Sequence, residues 1–107
     1  MDEQELKNRE AKYNHHLDIC KELNDLYRQK NHDYNDSFGR GFRKHGLVSV
    51  VSRLEDKYLR IEALATDVEP RVNESKRDTL RDLANYAIMA LVELDAAEGK
   101  VTGYEVP

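Results

Sequence analysis

Apolar residues recur at helical spacing in three long segments of the chain. The first runs from about Asp2 to about Lys30. There Leu6, Tyr13, Leu17, Cys20, Leu23 or Asn24, and Tyr27 follow a helical period among charged residues. The second runs from about Leu47 to Ala65. Its apolar stripe is Leu47, Val50, Val51, Leu54, Tyr58, Ile61 and Ala65, and Arg53, Asp56, Lys57 and Arg60 form its other face. The third opens at Ser75, which caps it with Asp78 at the third position in the manner of a capping box, and ends near Gly99. Between the first two segments, NHDYNDSFGRGFRKHG (Asn31 to Gly46) breaks the period. It reads as a long loop with room for one helical turn. Pro70 marks the connection from Thr66 to Asn73, and the tail from Lys100 to Pro107 is expected to dock a partner chain or hang free.

The third segment has two characters. Glu74, Asp78 and Asp82 stand at steps of four, with Asn85 three further on, so the four fall within about 80° of one another on one helical face. From Leu83 to Val92 the residues are apolar on nearly every side, with Asn85 the one polar member, as in a buried helix. The main stripe is centred on Leu83, Ala87, Leu91 and Leu94. Tyr86, Met89 and Val92 lie away from it and need a partner surface. The predicted fold is all-α: a bundle of three long helices plus a long loop, completed by homo-oligomerisation as a homodimer or homotetramer. At 107 residues it is read as one domain, with a core over 2–98 and a tail over 99–107.

Composition narrows the function. Charged residues make up 36% with a net charge of −4, and the signs are mixed along the chain, so no basic tract argues for nucleic acid. The longest apolar stretch is about ten residues, too short to span a bilayer. The start MDEQELKNRE is acidic and polar, unlike a signal peptide, and the expected compartment is the cytoplasm. Cys20 is alone, which excludes a disulfide framework. His15, His16, His32 and His45 lack zinc-ligand spacing.

The chemistry therefore rests on acids, bases and loop aromatics. Carboxylates gathered near a packed surface either share protons or hold a cation, and magnesium takes one or two carboxylates plus substrate phosphates. Glu74, Asp78 and Asp82 suit that role, and Asp56 on the second helix could complete it; Glu55 and Glu62 are alternative ligands. The competing reading is a solvated face paired with Lys76, Arg77 and Arg81. Arg53, Lys57, Arg60 and Lys30 could offset phosphate charge. Tyr34, Phe38 and Asn85 are candidates for a base and sugar, although loop aromatics equally often plug onto a core.

Three stretches, KNHDYNDSF, SRLEDKYLRIEAL and ESKRDTLRDLANYAIMAL, resemble a small phage and bacterial family, nucleotide modification associated domain one. Its pattern reads K-x-x-D-Y-x-x-S-F, then R-x-x-D-K-x-x-R, then E-S-x-x-D-T-L-x-D-L-x-N-Y. This chain meets it at Lys30, Asp33, Tyr34, Ser37 and Phe38; at Arg53, Asp56, Lys57 and Arg60; and from Glu74 through Asp78, Asp82 and Asn85 to Tyr86. The family in turn resembles the MazG-like and dimeric dUTPase-like all-α nucleoside triphosphate pyrophosphohydrolases, which set E-x-x-E and E-x-x-D around magnesium. The spacing here differs: the third helix carries E-x-x-x-D-x-x-x-D.

The resemblance implies a magnesium-dependent (manganese also serving) hydrolase that splits a nucleoside triphosphate, deoxy for preference, into monophosphate and pyrophosphate. It favours Asp56 over Glu55 as the ligand from the second helix. In that reading Asp56, Glu74, Asp78 and Asp82 hold metal, and Glu74 doubles as the catalytic base. Lys30, Arg53, Lys57 and Arg60 hold phosphate. Asp33, Tyr34, Ser37, Phe38 and Asn85 complete the substrate site. One alternative is a module that sequesters a nucleotide or cyclic-nucleotide signal without cleaving it. Another is a structural helical oligomer, which would not need a lone asparagine in an apolar run.

Overall fold

The computed structural model describes residues 1–66 and 75–107, which form four helices: α1 (Glu3–Asp33), α2 (Ser37–His45), α3 (Val48–Ala65) and α4 (Lys76–Ala97). They fall into two compact units, Met1–Asn35 and Asp36–Pro107. The first unit is α1 and its C-terminal turn. Asp2 caps it: its carboxylate accepts from the Glu5 N–H at 2.8 Å, and Glu5 accepts from the Asp2 N–H at 3.2 Å. Most of its apolar positions, Leu6, Tyr13 and Leu17 among them, are exposed, while Leu23 is buried.

The second unit packs α2, α3 and α4 against one another. Its core is Phe38 and Phe42 of α2, Val50 of α3 and Ala90 of α4, flanked by Leu54, Tyr86 and Met89. No helix among the described residues is long and apolar enough to cross a membrane.

The expected architecture of three long helices plus a loop is corrected here, because α2 occupies the segment read as loop. Two glycines and a run of polar residues hid its period. Phe38 and Phe42, one turn apart, supply the apolar face that decides it. Asn35 and Asp36 stand at φ 50° and 51°, a conformation that asparagine and aspartate tolerate, and they separate α1 from α2. Gly39 sits close against the same turn: a Cβ there would meet an Asp36 carboxylate oxygen at 2.5 Å, so that side chain would have to move. Gly46, at φ 72°, ends the helix, its N–H donating to the Phe42 carbonyl at 2.7 Å.

The long helices form where expected but are rotated. On α3 the inward positions are Val50, Leu54, Lys57, Ile61 and Leu64, all buried or half-buried, whereas Leu47, Val51 and Tyr58 of the expected stripe are exposed. On α4 the inward positions are Thr79, Asp82, Asn85, Tyr86, Met89, Ala90, Glu93 and Ala96. Ala87, Leu91 and Leu94, named as the main stripe, face outward, and Tyr86 and Met89, expected to need a partner surface, find it against the other helices of their own unit. The tail, expected to dock a partner chain or hang free, is exposed from Thr102 to Pro107. Gly99 and Gly103, at φ 73° and 82°, turn it, and Tyr104 and Val106 line an open-sided cavity with α2 and α4.

The two glycines of α2 make a paired test. Nothing lies within 4 Å of a Cβ at Gly41. Gly41→Ala should therefore stabilise the fold by about 0.5–1 kcal/mol in a chemical-denaturation experiment, because alanine loses less backbone entropy in a helix. Gly39→Ala should gain less than that or lose stability, since its Cβ must displace the Asp36 carboxylate.

Candidate functional site

The acid stripe and the basic stripe meet between α3 and α4. Lys57 lies between Leu54 and Ile61 on the inward face of α3, and Asp82 lies three residues after Thr79 on the inward face of α4. Their Nζ and Oδ2 are 2.9 Å apart, and both side chains are about four-fifths covered, at 21% and 18% exposure. A charge-assisted bond at this distance and cover is firmer than a surface ion pair. The Lys57 stem runs over apolar neighbours while its ammonium reaches the carboxylate.

Asp78, one turn earlier, has a different task. Ser75 and Asp78 make the expected capping box: Ser75 Oγ accepts from the Asp78 N–H at 3.1 Å, and Asp78 Oδ2 accepts from Ser75 Oγ at 2.9 Å and from the Ser75 N–H at 3.4 Å. Its other oxygen accepts from Arg81 at 3.5 Å. A carboxylate in the first turn also faces the positive end of the helix dipole. Thr79 is fully buried and donates to the Ser75 carbonyl at 3.0 Å. Asn85 is buried at 7% exposure and is hydrogen-bonded or otherwise engaged. Arg60 is half-buried and also engaged, and Asp56 is exposed. Glu74 lies outside the described residues. Among the described residues no group of three or more histidines, cysteines or acids is close enough to hold a metal ion.

Arg53 is not a free cation. Its guanidinium lies over the Phe38 ring at 5.2 Å and the Tyr86 ring at 5.7 Å, and the two rings are parallel to within 6° with centroids 6.1 Å apart. Motif residues from α2, α3 and α4 thus come together as an aromatic–cation cluster at the edge of the core, and Ser37 opens α2 beside Phe38. Lys30, Asp33 and Tyr34 belong to the first unit. Lys30 and Tyr34 are exposed there, with the Tyr34 N–H bonded to the Lys30 carbonyl at 2.9 Å. Asp33 lies 3.3 Å from His32 Nδ1.

Sequence reasoning missed a second charged group. Glu93 is buried at 8% exposure on the inward face of α4, and its carboxyl is held above the usual carboxylate range. Burial is the main cause and the Asp36 carboxylate adds to it, while Arg43, itself 3.5 Å from Asp36, pulls the other way. A signal existed in the chain: Glu93 is eleven residues after Asp82, three helical turns on, so it repeats the face of Asp82.

Each charged group generates a prediction. Replacing Lys57 by Met, Asp82 by Asn, and both together should give a coupling of about 1–2 kcal/mol in a double-mutant cycle, little altered by salt. A coupling near zero would make the pair a surface contact. A buried acid with a raised pKa binds its proton more tightly folded than unfolded, so its contribution to stability falls as pH rises from the usual carboxylate range to the raised value, and is flat above that. Glu93→Gln should therefore melt higher than the wild type at pH 7. That margin should shrink as pH falls through the carboxylate range, as followed by thermal melts.

Comparison with curated proteins and with solved structures finds no match. A family model does match, over residues 30–94, which is more than half of the chain. It spans the turn before α2, the aromatic–cation cluster and the Lys57–Asp82 pair. The chain belongs to the family described as nucleotide modification associated domain 1.

Proposed function

We propose that the protein acts on a nucleoside triphosphate, deoxy for preference, as a magnesium-dependent pyrophosphohydrolase related to the MazG-like enzymes. The observation that carries this reading is the half-buried Lys57–Asp82 pair, which joins the basic motif of α3 to the acidic motif of α4 within the family-matched region. The donors fit a hard cation. Asp78 and Asp82 are carboxylates one turn apart, and one or two carboxylates plus substrate phosphates is a usual complement for magnesium.

The ion pair sets the terms of binding. Asp82 would exchange the Lys57 ammonium for the metal, and Lys57 would exchange Asp82 for a phosphate, so neither buried charge is left alone. Asp78 would contribute through the oxygen now facing Arg81. Asp56 and Glu74 are the further ligands in this reading, with Glu74 as the base that takes a proton from the attacking water. Arg60 would add a phosphate contact. Arg53, held by Phe38 and Tyr86, would offer its remaining N–H groups to phosphate or base. Ser37 and Asn85 are assigned to base and sugar. The metal supplies charge neutralisation at the phosphoryl oxygens and lowers the pKa of a bound water.

One observation favours a second reading, a nucleotide-sequestering module without catalysis: each described acid of the stripe already has a cationic neighbour, Lys57 for Asp82 and Arg81 for Asp78. Incubation with each common nucleotide and magnesium or manganese, with products resolved by chromatography, separates the two. Hydrolysis should release pyrophosphate and monophosphate, and Asp82→Asn should slow it about a hundredfold or more with the helical signal intact. Tight binding without metal, with the nucleotide recovered unchanged, replaces hydrolysis by sequestration.

Self-association belongs to the same proposal. The outward faces of α3 and α4 expose Leu47, Val51, Tyr58, Leu80, Ile88 and Leu91, apolar side chains that a second copy would cover. Light scattering should give a homodimer or homotetramer, and Leu91→Glu should shift it toward the 12.5 kDa monomer. A wild-type monomer at micromolar concentration would remove this part of the reading.

A further inference from the structure

A cavity of about 360 Å³ lies between the C-terminal halves of α2 and α4 and the returning tail, with Phe42, Arg43, Glu93, Ala96, Tyr104 and Val106 in its wall. It is separate from the Lys57–Asp82 pair: eleven residues of helix, about 16 Å along the axis, divide Glu93 from Asp82. Its volume falls in the range of small-molecule sites, and its wall has their usual character, mostly apolar with a few convergent polar groups.

Glu93 is the informative residue. It is more than nine-tenths buried, lines the cavity, and has no hydrogen-bond or ion-pair partner among the described residues. The charged groups around it are accounted for. From the α2 side come Asp36 and Arg43, already paired with each other at 3.5 Å, and on α4 itself Glu93 is the one charged residue in the cavity wall. Counting the three together leaves one negative charge, on a carboxylate that opens to the cavity and shares the Arg43 counter-charge with Asp36. A carboxylate held this far from solvent, with its counter-charge shared, costs stability, and such a cost is typical of a group kept for a ligand.

We propose that this cavity is a binding site for a small organic cation with a flat or apolar body, an amidinium or primary ammonium compound, recognised by Glu93. The carboxylate supplies two acceptor oxygens to a forked or single N–H donor. Phe42 and Tyr104 supply aromatic surface that favours a cation over an anion. The Asp36–Arg43 pair keeps the neighbouring guanidinium engaged, so that it does not itself occupy the carboxylate. An anion is disfavoured by Glu93, and a neutral apolar molecule would leave the carboxylate without a donor.

Benzamidine is a suitable probe, with benzamide as its uncharged counterpart of nearly the same shape. Each is titrated into the full chain at pH 7 while backbone amide and glutamate carboxyl signals are followed by NMR. Benzamidine should move the signals of Glu93, Phe42, Ala96 and Tyr104 and bind at least tenfold more tightly than benzamide. Glu93→Gln should lose at least tenfold in affinity for benzamidine. In the wild type, saturating benzamidine should also lower the pKa of Glu93, since a bound cation favours the charged carboxylate, and this reading does not depend on the variant folding. Equal binding of the two probes, shifts confined to other residues, an unmoved Glu93 titration, or undiminished binding by a folded Glu93→Gln would each overturn the assignment. Because neither probe is a nucleotide, none of these outcomes bears on the pyrophosphohydrolase reading.

Discussion

The two long helices of the second unit meet through faces that carry charge. Lys57 stands on the inward stripe of α3 where a leucine would be ordinary, and Asp82 stands on that of α4. Neither could sit there alone, because a buried charge without a partner costs several kcal/mol. Their 2.9 Å contact therefore constrains the register of α3 on α4 as firmly as the apolar contacts beside it. With that register set, Val50 meets Ala90, Arg53 reaches the Phe38 and Tyr86 rings, and Leu47, Val51 and Leu91 turn outward.

The same arrangement explains how the protein could be stable and still leave polar groups inside. Asp78 and Ser75 satisfy the start of α4, Thr79 bonds back to the Ser75 carbonyl, and Asn85 is engaged. Among the described residues no buried side-chain nitrogen or oxygen shut off from solvent lacks a hydrogen-bond partner. Glu93 stands apart because its carboxylate looks into a cavity. The inner face of α4 thus runs from a capped N-terminus through an ion pair and an aromatic cluster to a carboxylate in a pocket.

Asp78 shows how one residue serves two accounts. Its position at N3 made it both a capping residue and a member of the acid stripe, and the geometry commits its oxygens to Ser75 and Arg81. Loss of Asp78 therefore removes a cap as well as a carboxylate, while Asp82 reports on the stripe without the cap.

Much was legible in the chain. Helical periodicity located three of the four helices, and the Ser75–Asp78 cap was readable because capping depends on residues three apart in sequence. The motif residues and the family were readable for the same reason: they are strings of side chains at fixed spacing. What the sequence could not decide was which side of each helix faces inward. On α4 apolar residues lie all round, so the period alone does not choose between Leu83–Ala87–Leu91 and Asn85–Tyr86–Met89. Pairing across helices chooses, and it is non-local: Lys57 finds Asp82, and Arg53 finds Phe38 and Tyr86. α2 was hidden likewise, since Gly39 and Gly41 weaken its propensity and only the burial of Phe38 and Phe42 against α3 and α4 makes the helix worth forming. Local chemistry lies in the order of residues; which charges share an interior is settled only when the helices meet.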